Sequence, residues 1–193
     1  MSEHFKPQSS DDVRDIIRAA QEDKQTLEII GAGSKRGWGR PIGAAGVMHL
    51  SGLSGISLYE PEELVLSAAA GTSMTDIHQA LAEHHQQLAF EPPDFSPLFG
   101  GEAGLGTLGG VIAANLSGPR RLQAGAARDH FLGFAAISGR GEEFKSGGRV
   151  VKNVTGFDLS KLLAGSFGTL AAMTTVTIKV LPAPEKTRTV LVF

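Results

Sequence analysis

Residues 106–129 (GTLGGVIAANLSGPRRLQAGAARD) constrain the fold of this chain more than any other stretch. Thr107 stands before the glycine pair Gly109 and Gly110, and an apolar helical stretch follows. Each glycine in a helix costs about 1 kcal/mol relative to alanine, so a plain core helix would not carry two together. Glycine also removes the side chain where another group must approach the backbone. The segment therefore predicts exposed backbone N–H groups that face a flat, phosphate-bearing ligand.

The composition limits the class of protein. The chain has 193 residues, no cysteine and a net charge of -2 at pH 7. The lack of cysteine excludes disulfides, thiolate chemistry and cysteine-held iron–sulfur clusters, and the charge argues against a nucleic-acid surface. No apolar run approaches the roughly 20 residues of a membrane span, and the polar first residues are not a signal peptide. We expect a cytoplasmic globular protein that reaches a membrane only through partners.

Hydrophobic periodicity predicts a small β-α-β-β unit in the first part of the chain. A helix begins with Ser10 or Asp11 as its N-cap, and Val13, Ile16 and Ile17 follow at helical spacing. Short apolar runs bounded by glycine or polar residues predict strands at residues 26–30, 46–50 and 55–59.

The second part reads as strands with short helices between them. We predict a strand at 63–70, a helix capped by Thr75, a Pro/Gly-rich loop at 90–106, a hairpin at 131–145, a short helix at 158–163 and a strand at 171–181. Residues 189–193 begin an apolar strand without an evident partner, so we expect either that it pairs back or that the chain is a fragment. We predict one domain with approximate subdomains 1–70 and 71–193.

Two further glycine-rich loops are candidate ligand sites. Residues 31–35 (GAGSK) follow a strand, where successive N–H groups can wrap a pyrophosphate and Lys35 or Arg36 can supply charge. Because Arg36 stands where the last glycine of G-x-G-x-x-G belongs, the nicotinamide fingerprint fails, and an ordinary glycine turn explains the loop equally well. Residues 165–169 (GSFGT) form a similar loop, although a helix C-cap followed by a turn explains it more simply.

Other polar residues give weaker signals. Arg120 and Arg121 can contact phosphate, but a solvated basic surface is the simpler interpretation. His84 and His85 are adjacent on a helix and cannot face one metal together, so we predict no metal site. No G-x-S-x-G elbow is present, which disfavours a hydrolase.

Five motifs then occur in order along the chain. They are IIGAGSKRGWGRP at 29–41, EPPD at 91–94, TLGGVIAANLSGPRR at 107–121, RDHFLG at 128–133 and GGRVVKNVTGFDLSKLLAGSFGTLAAMTTVTIKVLP at 147–182. With these motifs the chain resembles the FAD-binding domain of the vanillyl-alcohol-oxidase/PCMH-type flavoproteins, and among them the E subunits of bacterial glycolate oxidases. The resemblance runs from about residue 5 to 185.

The resemblance implies an α+β fold of two α+β subdomains that hold FAD in an extended conformation, without the cap (substrate) domain of many relatives. The implied cofactor-binding residues are Gly31, Ala32, Gly33, Ser34 and Lys35 at the pyrophosphate, Thr107, Gly109 and Gly110 along the pyrophosphate and flavin, Asn115, Gly118 and Gly125 beyond them, Gly165, Ser166, Gly168 and Thr169 toward the adenosine, and Pro93 in the same cleft. Ser34 occupies the place of the histidine that attaches FAD in many relatives, so the resemblance implies noncovalent FAD. It identifies no catalytic residue.

The resemblance also implies a function. It is that of an FAD-dependent subunit of a glycolate oxidase-type (2-hydroxy acid) oxidoreductase, with a larger flavin subunit and an iron–sulfur subunit as partners. Two alternatives stay open: a non-catalytic assembly subunit with an FAD-type fold, and a truncated fragment of an ordinary flavoenzyme. The loop at 94–106 is longer than the usual family link, and its sequence predicts no role.

Overall fold

A computed structural model describes residues 2–148 and 157–192, so most of the motif segment at 147–156 lies outside the described residues. The strands are β1 Glu3–Phe5, β2 Leu27–Ile30, β3 Gly46–His49, β4 Ile56–Glu60, β5 Val65–Ala69, β6 Gln86–Gln87, β7 Phe131–Ser138, β8 Glu143–Gly147, β9 Ala171–Lys179 and β10 Leu181–Pro182. The α-helices are α1 Ser10–Glu22, α2 Met74–Glu83, α3 Leu108–Ala113, α4 Arg121–Ala124, α5 Ala127–His130 and α6 Leu159–Leu163, and 3₁₀ helices lie at Leu50–Gly52 and Pro97–Phe99.

A three-stranded parallel sheet, in the order β1-β3-β2, forms the first layer. Helix α1 joins β1 to β2, and its N-cap is Ser9, whose hydroxyl accepts a hydrogen bond from the Asp12 N–H at 3.1 Å. The Asp12 carboxylate in turn accepts from the Ser9 N–H at 3.0 Å, which completes a capping box. The predicted N-caps Ser10 and Asp11 are therefore wrong, because both already lie inside the helix.

A five-stranded antiparallel sheet, in the order β4-β5-β9-β7-β8, forms the second layer. It contains the strands predicted at 55–59, 63–70 and 171–181 and the predicted hairpin at 131–145, whereas those predicted at 26–30 and 46–50 are β2 and β3 of the first sheet. The predicted β-α-β-β unit is wrong in its last strand, because β4 pairs with β5 in this sheet and not with β3. The sheet thus takes β4 and β5 from residues 1–70, and the division into subdomains 1–70 and 71–193 stays a prediction.

Two hydrophobic cores cover the two faces of the five-stranded sheet. The larger core packs α2 and α3 against the sheet, with Ile77, Ile112 and Val176 fully buried. The smaller core brings Val13 of α1 and Met48 of β3 against Ile137 of β7, and so joins the two sheets. The predicted α+β fold class is confirmed.

Two smaller predictions at the helix and chain ends are corrected. Ser73, and not Thr75, caps α2, because its hydroxyl accepts from the Asp76 N–H at 3.0 Å. Residues 189–192 form no strand, and Val190 and Leu191 are exposed. Among the helices of residues 2–148 and 157–192, none is both long enough and apolar enough to cross a bilayer.

Candidate functional site

A cavity of about 310 Å³ lies between the two sheets, and its wall includes all of β2, the loop that leaves the carboxyl edge of that strand, and Leu50 directly after β3. In open α/β sheets this edge is where ligands bind, because the loops that leave the strands converge there. Helix α3 and the first residues of β9 close the opposite wall. Ten predicted site residues line the cavity: Gly31, Ala32, Gly33, Ser34, Lys35, Thr107, Gly109, Gly110, Gly168 and Thr169.

The loop that follows β2, residues 31–37, presents free backbone donors to this cavity. Within the described part of the chain, no group accepts a hydrogen bond from the N–H groups of Ala32, Gly33, Ser34 or Lys35. Gly33 has a φ of 79°, which turns the backbone in a way that side chains rarely permit. Successive free N–H groups on a turned backbone form a concave anion site. We call residues 31–37 the glycine loop.

Lys35 and Arg36, the two cations of the glycine loop, have different surroundings. The Lys35 ammonium is half-buried, donates to the Ser34 hydroxyl at 3.2 Å, and forms no ion pair with any described residue. Burial lowers the pKa of the Lys35 ammonium below its ordinary value of 10.5, and the Asp94 carboxylate offsets part of that shift. Arg36 instead makes two bonds to Glu28, at 2.7 and 2.9 Å. Of these two cations, Lys35 is therefore the one available to an anionic ligand.

The start of α3 departs from the prediction. Its N–H groups are not exposed: Leu108 donates to the Thr72 carbonyl at 2.9 Å, Gly109 to the Ala70 carbonyl at 2.7 Å, and Gly110 to the Thr107 hydroxyl at 3.2 Å. The predicted role of this segment as a source of free N–H groups is wrong, because the neighbouring chain and the N-cap already use these donors.

The two glycines of α3 have different tasks. A Cβ on Gly109 would lie 2.7 Å from the Ala70 Cβ, so this glycine allows the helix to pack against the end of β5. A Cβ on Gly110 would lie 3.0 Å from the Thr107 Oγ1 and 3.5 Å from the Lys35 Nζ, on the cavity side. The absence of a side chain at Gly110 thus keeps space open next to the ammonium.

The loop that follows α6 closes the third side. Its N–H groups at Gly165 and Phe167 donate to the carbonyls of Ile112 and Ala113, at 3.2 and 2.9 Å, and so cap the end of α3. A Cβ on Gly168 would lie 3.4 Å from the Ile29 Cβ, which brings this loop against β2. The hydroxyl of Ser166 is buried and has no hydrogen-bond partner among the described residues.

Six predicted site residues lie outside the cavity wall: Pro93, Asn115, Gly118, Gly125, Gly165 and Ser166. Asn115 accepts the Arg128 N–H at 2.9 Å through its side chain, which fixes the start of α5. A Cβ on Gly118 would lie 2.5 Å from the Glu91 carbonyl oxygen, so close packing accounts for that glycine. Cofactor contact stays a prediction for these six residues, as it does for the ten that line the cavity.

Trp38 and several apolar residues line the cavity without having been predicted. The unpredicted apolar ones include Leu27, Ile29, Ile42, Ala113, Ala114 and Met173. Trp38 meets Phe95 and Phe167 edge-to-face, with ring centroids 5.4 and 6.0 Å apart, and is 47% exposed. The only tryptophan of the chain, placed in a glycine-rich loop, was the one available signal.

The chemistry of the cavity fits a ligand with phosphate and aromatic parts. The N–H groups and the ammonium that have no anionic or carbonyl partner among the described residues suit phosphate oxygens, and the apolar wall suits a planar ring. The described part of the chain contains no group of three or more histidine, cysteine, aspartate or glutamate side chains placed to hold a metal ion.

Comparison with known proteins points to one family. The sequence model of the FAD binding domain family matches residues 3–147. Glycolate oxidase subunit GlcE of Escherichia coli (strain K12) is 42% identical over 169 residues, which are 88% of this chain and 46% of that protein. Glycolate oxidase subunit GlcD of Bacillus subtilis (strain 168) is 28% identical over 186 residues, which are 96% of this chain and 38% of that protein. The chain thus spans less than half the length of these relatives.

Solved structures share the fold. A structure of alkyldihydroxyacetonephosphate synthase matches with a TM-score of 0.72 and 18% sequence identity, over 95% of this chain and 32% of that one. At this identity the likeness concerns the fold alone.

Proposed function

Since this chain belongs to the FAD binding domain family, we propose that it holds FAD noncovalently in the cavity beside the glycine loop. The family and the cofactor predicted from the sequence are confirmed by the match to the FAD binding domain family. The position of the cofactor in the cavity, its noncovalent attachment and the activity are the proposal.

One observation carries the proposal: four consecutive N–H groups and a half-buried ammonium, none of them paired with a charged or accepting group among residues 2–148 and 157–192 apart from the Ser34 hydroxyl, line the same cavity. The N–H groups of Ala32, Gly33, Ser34 and Lys35 would hold the diphosphate, and the Lys35 ammonium would neutralise part of its charge. Gly110 leaves space for it, and Thr169 and the apolar wall would contact the remaining parts of the ligand.

Ser34 supports noncovalent attachment. A histidine ring nitrogen can form a stable bond to carbon, and a serine hydroxyl beside an ammonium has no comparable nucleophilicity. The Ser34 hydroxyl accepts a hydrogen bond from Lys35, which further reduces its electron density. We infer that this residue orients the lysine.

For the activity, we propose a subunit of a glycolate oxidase-type oxidoreductase that acts on a 2-hydroxy acid. FAD supplies the redox chemistry when bound, and the residues of this chain bind it, orient it and exclude water from it. The identity with the Escherichia coli subunit over 88% of this chain supports this choice. The proposed partners are a larger flavin subunit and an iron–sulfur subunit that accepts electrons.

The test is an absorption spectrum of the purified chain, before and after acid precipitation. We expect flavin bands that move into the supernatant, as noncovalent FAD requires. A colourless protein that also fails to take up added FAD would contradict the proposal.

Lysine-to-methionine variants locate the site. Lys35→Met should weaken FAD binding by about 10- to 100-fold, the size of a lost hydrogen bond to a charged group. Lys145→Met is the matched control, because it removes the same charge from an exposed position on β8. Equal affinities of the two variants would place the diphosphate elsewhere.

A further inference from the structure

Residues 94–104 form a closed loop, and the Asp94 carboxylate holds both of its ends. One oxygen, Oδ1, accepts the N–H of Ser96 at 2.9 Å and the hydroxyl of Ser96 at 2.6 Å. The other oxygen, Oδ2, accepts the N–H of Gly104 at 2.7 Å. Ser96 is 1% exposed, so the fixed end of the loop is packed into the protein. We call residues 94–104 the brace.

The brace contacts Gly37 of the glycine loop and Trp38, the residue directly after that loop. Phe95 meets Trp38 edge-to-face with the ring centroids 5.4 Å apart. The Phe99 ring lies over Gly37, where an added Cβ would be 2.7 Å from the ring atom Cδ1. Trp38 in turn meets Phe167, at 6.0 Å between the ring centroids, so that three separate loops join at one tryptophan.

Asp94 also acts on the cavity through its charge. Burial alone would raise the pKa of Asp94, but the hydrogen bonds from Gly104 and Ser96 outweigh it and lower the pKa. The carboxylate is therefore ionised at neutral pH. Its charge favours the protonated form of Lys35, the cation next to the free N–H groups.

We propose that the brace positions the diphosphate site, and that Asp94 is the positioning residue that fixes the brace. This inference rests on the proposed function, because it assumes that FAD binds at the glycine loop. Asp94 closes the loop, which places Phe95 against Trp38 and Phe99 against Gly37. Those two contacts hold the free N–H groups and the Lys35 ammonium in the geometry that receives phosphate. Pre-organisation of this kind raises affinity because fewer groups must be ordered on binding.

Three variants of the brace test the proposal: Asp94→Ala, Asp94→Asn and Glu102→Gln. Asp94→Ala removes all three hydrogen bonds. Asp94→Asn keeps an oxygen for Ser96 but turns a donor toward the Gly104 N–H. Glu102→Gln is the matched control, because it removes one carboxylate charge from the same loop and Glu102 makes no hydrogen bond or ion pair with a described residue. Thermal unfolding of each variant checks that the fold is retained.

Two measurements distinguish an effect on the position of the brace from an effect of charge alone. Quenching of Trp38 fluorescence by acrylamide, measured without FAD, reports how well the brace covers the only tryptophan. The FAD dissociation constant, measured by calorimetry at low and high salt, reports the site. Charge effects at a partly exposed site are screened by salt, whereas a positional effect is retained.

We expect Asp94→Ala to raise acrylamide quenching of Trp38 and to weaken FAD binding by about tenfold at both salt concentrations, the size of lost bonds to a carboxylate. Asp94→Asn should fall between Asp94→Ala and the unchanged protein, and Glu102→Gln should change neither readout. Unchanged quenching and affinity in Asp94→Ala would overturn the inference. So would an affinity loss that vanishes at high salt, because Asp94 would then act by charge alone. If the unchanged chain binds no FAD at all, the proposed function is refuted, and this inference is refuted as well because it depends on that function.

Discussion

Gly31 and Thr107 approach each other so closely that a methyl group on Gly31 would overlap the Thr107 hydroxyl oxygen. This contact joins the end of β2 to the N-cap of α3, two segments that belong to opposite walls of the cavity. The width of the cavity at this point is thus set by the absence of one side chain.

Gly31→Ala should lower the free energy of unfolding by about 1–3 kcal/mol, the usual cost of overpacking, and should weaken FAD binding as the walls separate. Urea unfolding and a flavin titration measure the two effects. Gly43→Ala is the control, because a Cβ there meets no atom within 4 Å. Adding Thr107→Ala should recover part of the loss caused by Gly31→Ala, and strictly additive effects would show that the two residues do not interact.

The two glycines of α3 should separate stability from binding. Gly109→Ala places a Cβ 2.8 Å from the Ala70 carbonyl oxygen and should cost about 1–3 kcal/mol of stability. Gly110→Val extends a side chain toward Lys35 and should abolish FAD binding while the protein still unfolds cooperatively. Denaturation curves and the flavin content of the purified variants test both statements. A normal flavin content in Gly110→Val would refute the placement of FAD beside this helix.

FAD affinity should fall at alkaline pH. Burial lowers the pKa of Lys35 in the free protein, and a bound diphosphate raises it again because opposite charge favours the ammonium. Affinity is therefore fully present below the pKa of the free protein and declines as the pH rises from that value toward the pKa of the complex. Titrations from neutral to alkaline pH should show this decline, and Lys35→Met should lack it. Parallel curves for the two proteins would mean that Lys35 does not face the diphosphate.

The Ser9 hydroxyl should stabilise the protein, whereas the hydroxyl of its neighbour Ser10 should contribute far less. Ser9→Ala removes the N-cap acceptor of α1 and should cost about 1 kcal/mol, whereas Ser10→Ala, at a half-buried helical position where the hydroxyl caps nothing, should cost far less. Chemical denaturation compares the two. The Asp12 pKa is lowered by the Gln8 N–H and by Ser9, so the contribution of this box should be lost as the pH falls through that lowered value. A larger loss in Ser10→Ala would restore the sequence-based assignment of the cap.

The local sequence pattern predicted most strands and helices of this fold. Alternation of apolar and polar residues indicates the strands directly, and glycines mark where segments end. The partner of β4 could not be predicted, because alternation tells which face of a strand is buried and not which strand lies beside it. β4 leaves the first sheet because the chain crosses to the other layer after the 3₁₀ helix Leu50–Gly52.

The candidate site could be predicted from the sequence to about the same extent as the fold. The glycine loop follows from its own residues, and so does the presence of two cations in it. Lys35, and not Arg36, is available to an anionic ligand because Glu28 on β2 accepts two hydrogen bonds from Arg36. The donors of α3 are already bonded to the carbonyls of Thr72 and Ala70, and no pattern within residues 106–129 shows that.

The walls of the cavity come from three stretches of chain that are far apart in sequence: the glycine loop, α3, and the end of the loop that leads into β9. The last wall is fixed only when β9 pairs with β5, as Val65 does with Lys179. During synthesis the glycine loop therefore leaves the ribosome long before the groups that face it exist. Flavin therefore cannot act as a template for the early steps of folding, and it binds a chain that is already nearly folded. Its concentration then affects how long the folded state persists more than how quickly that state forms.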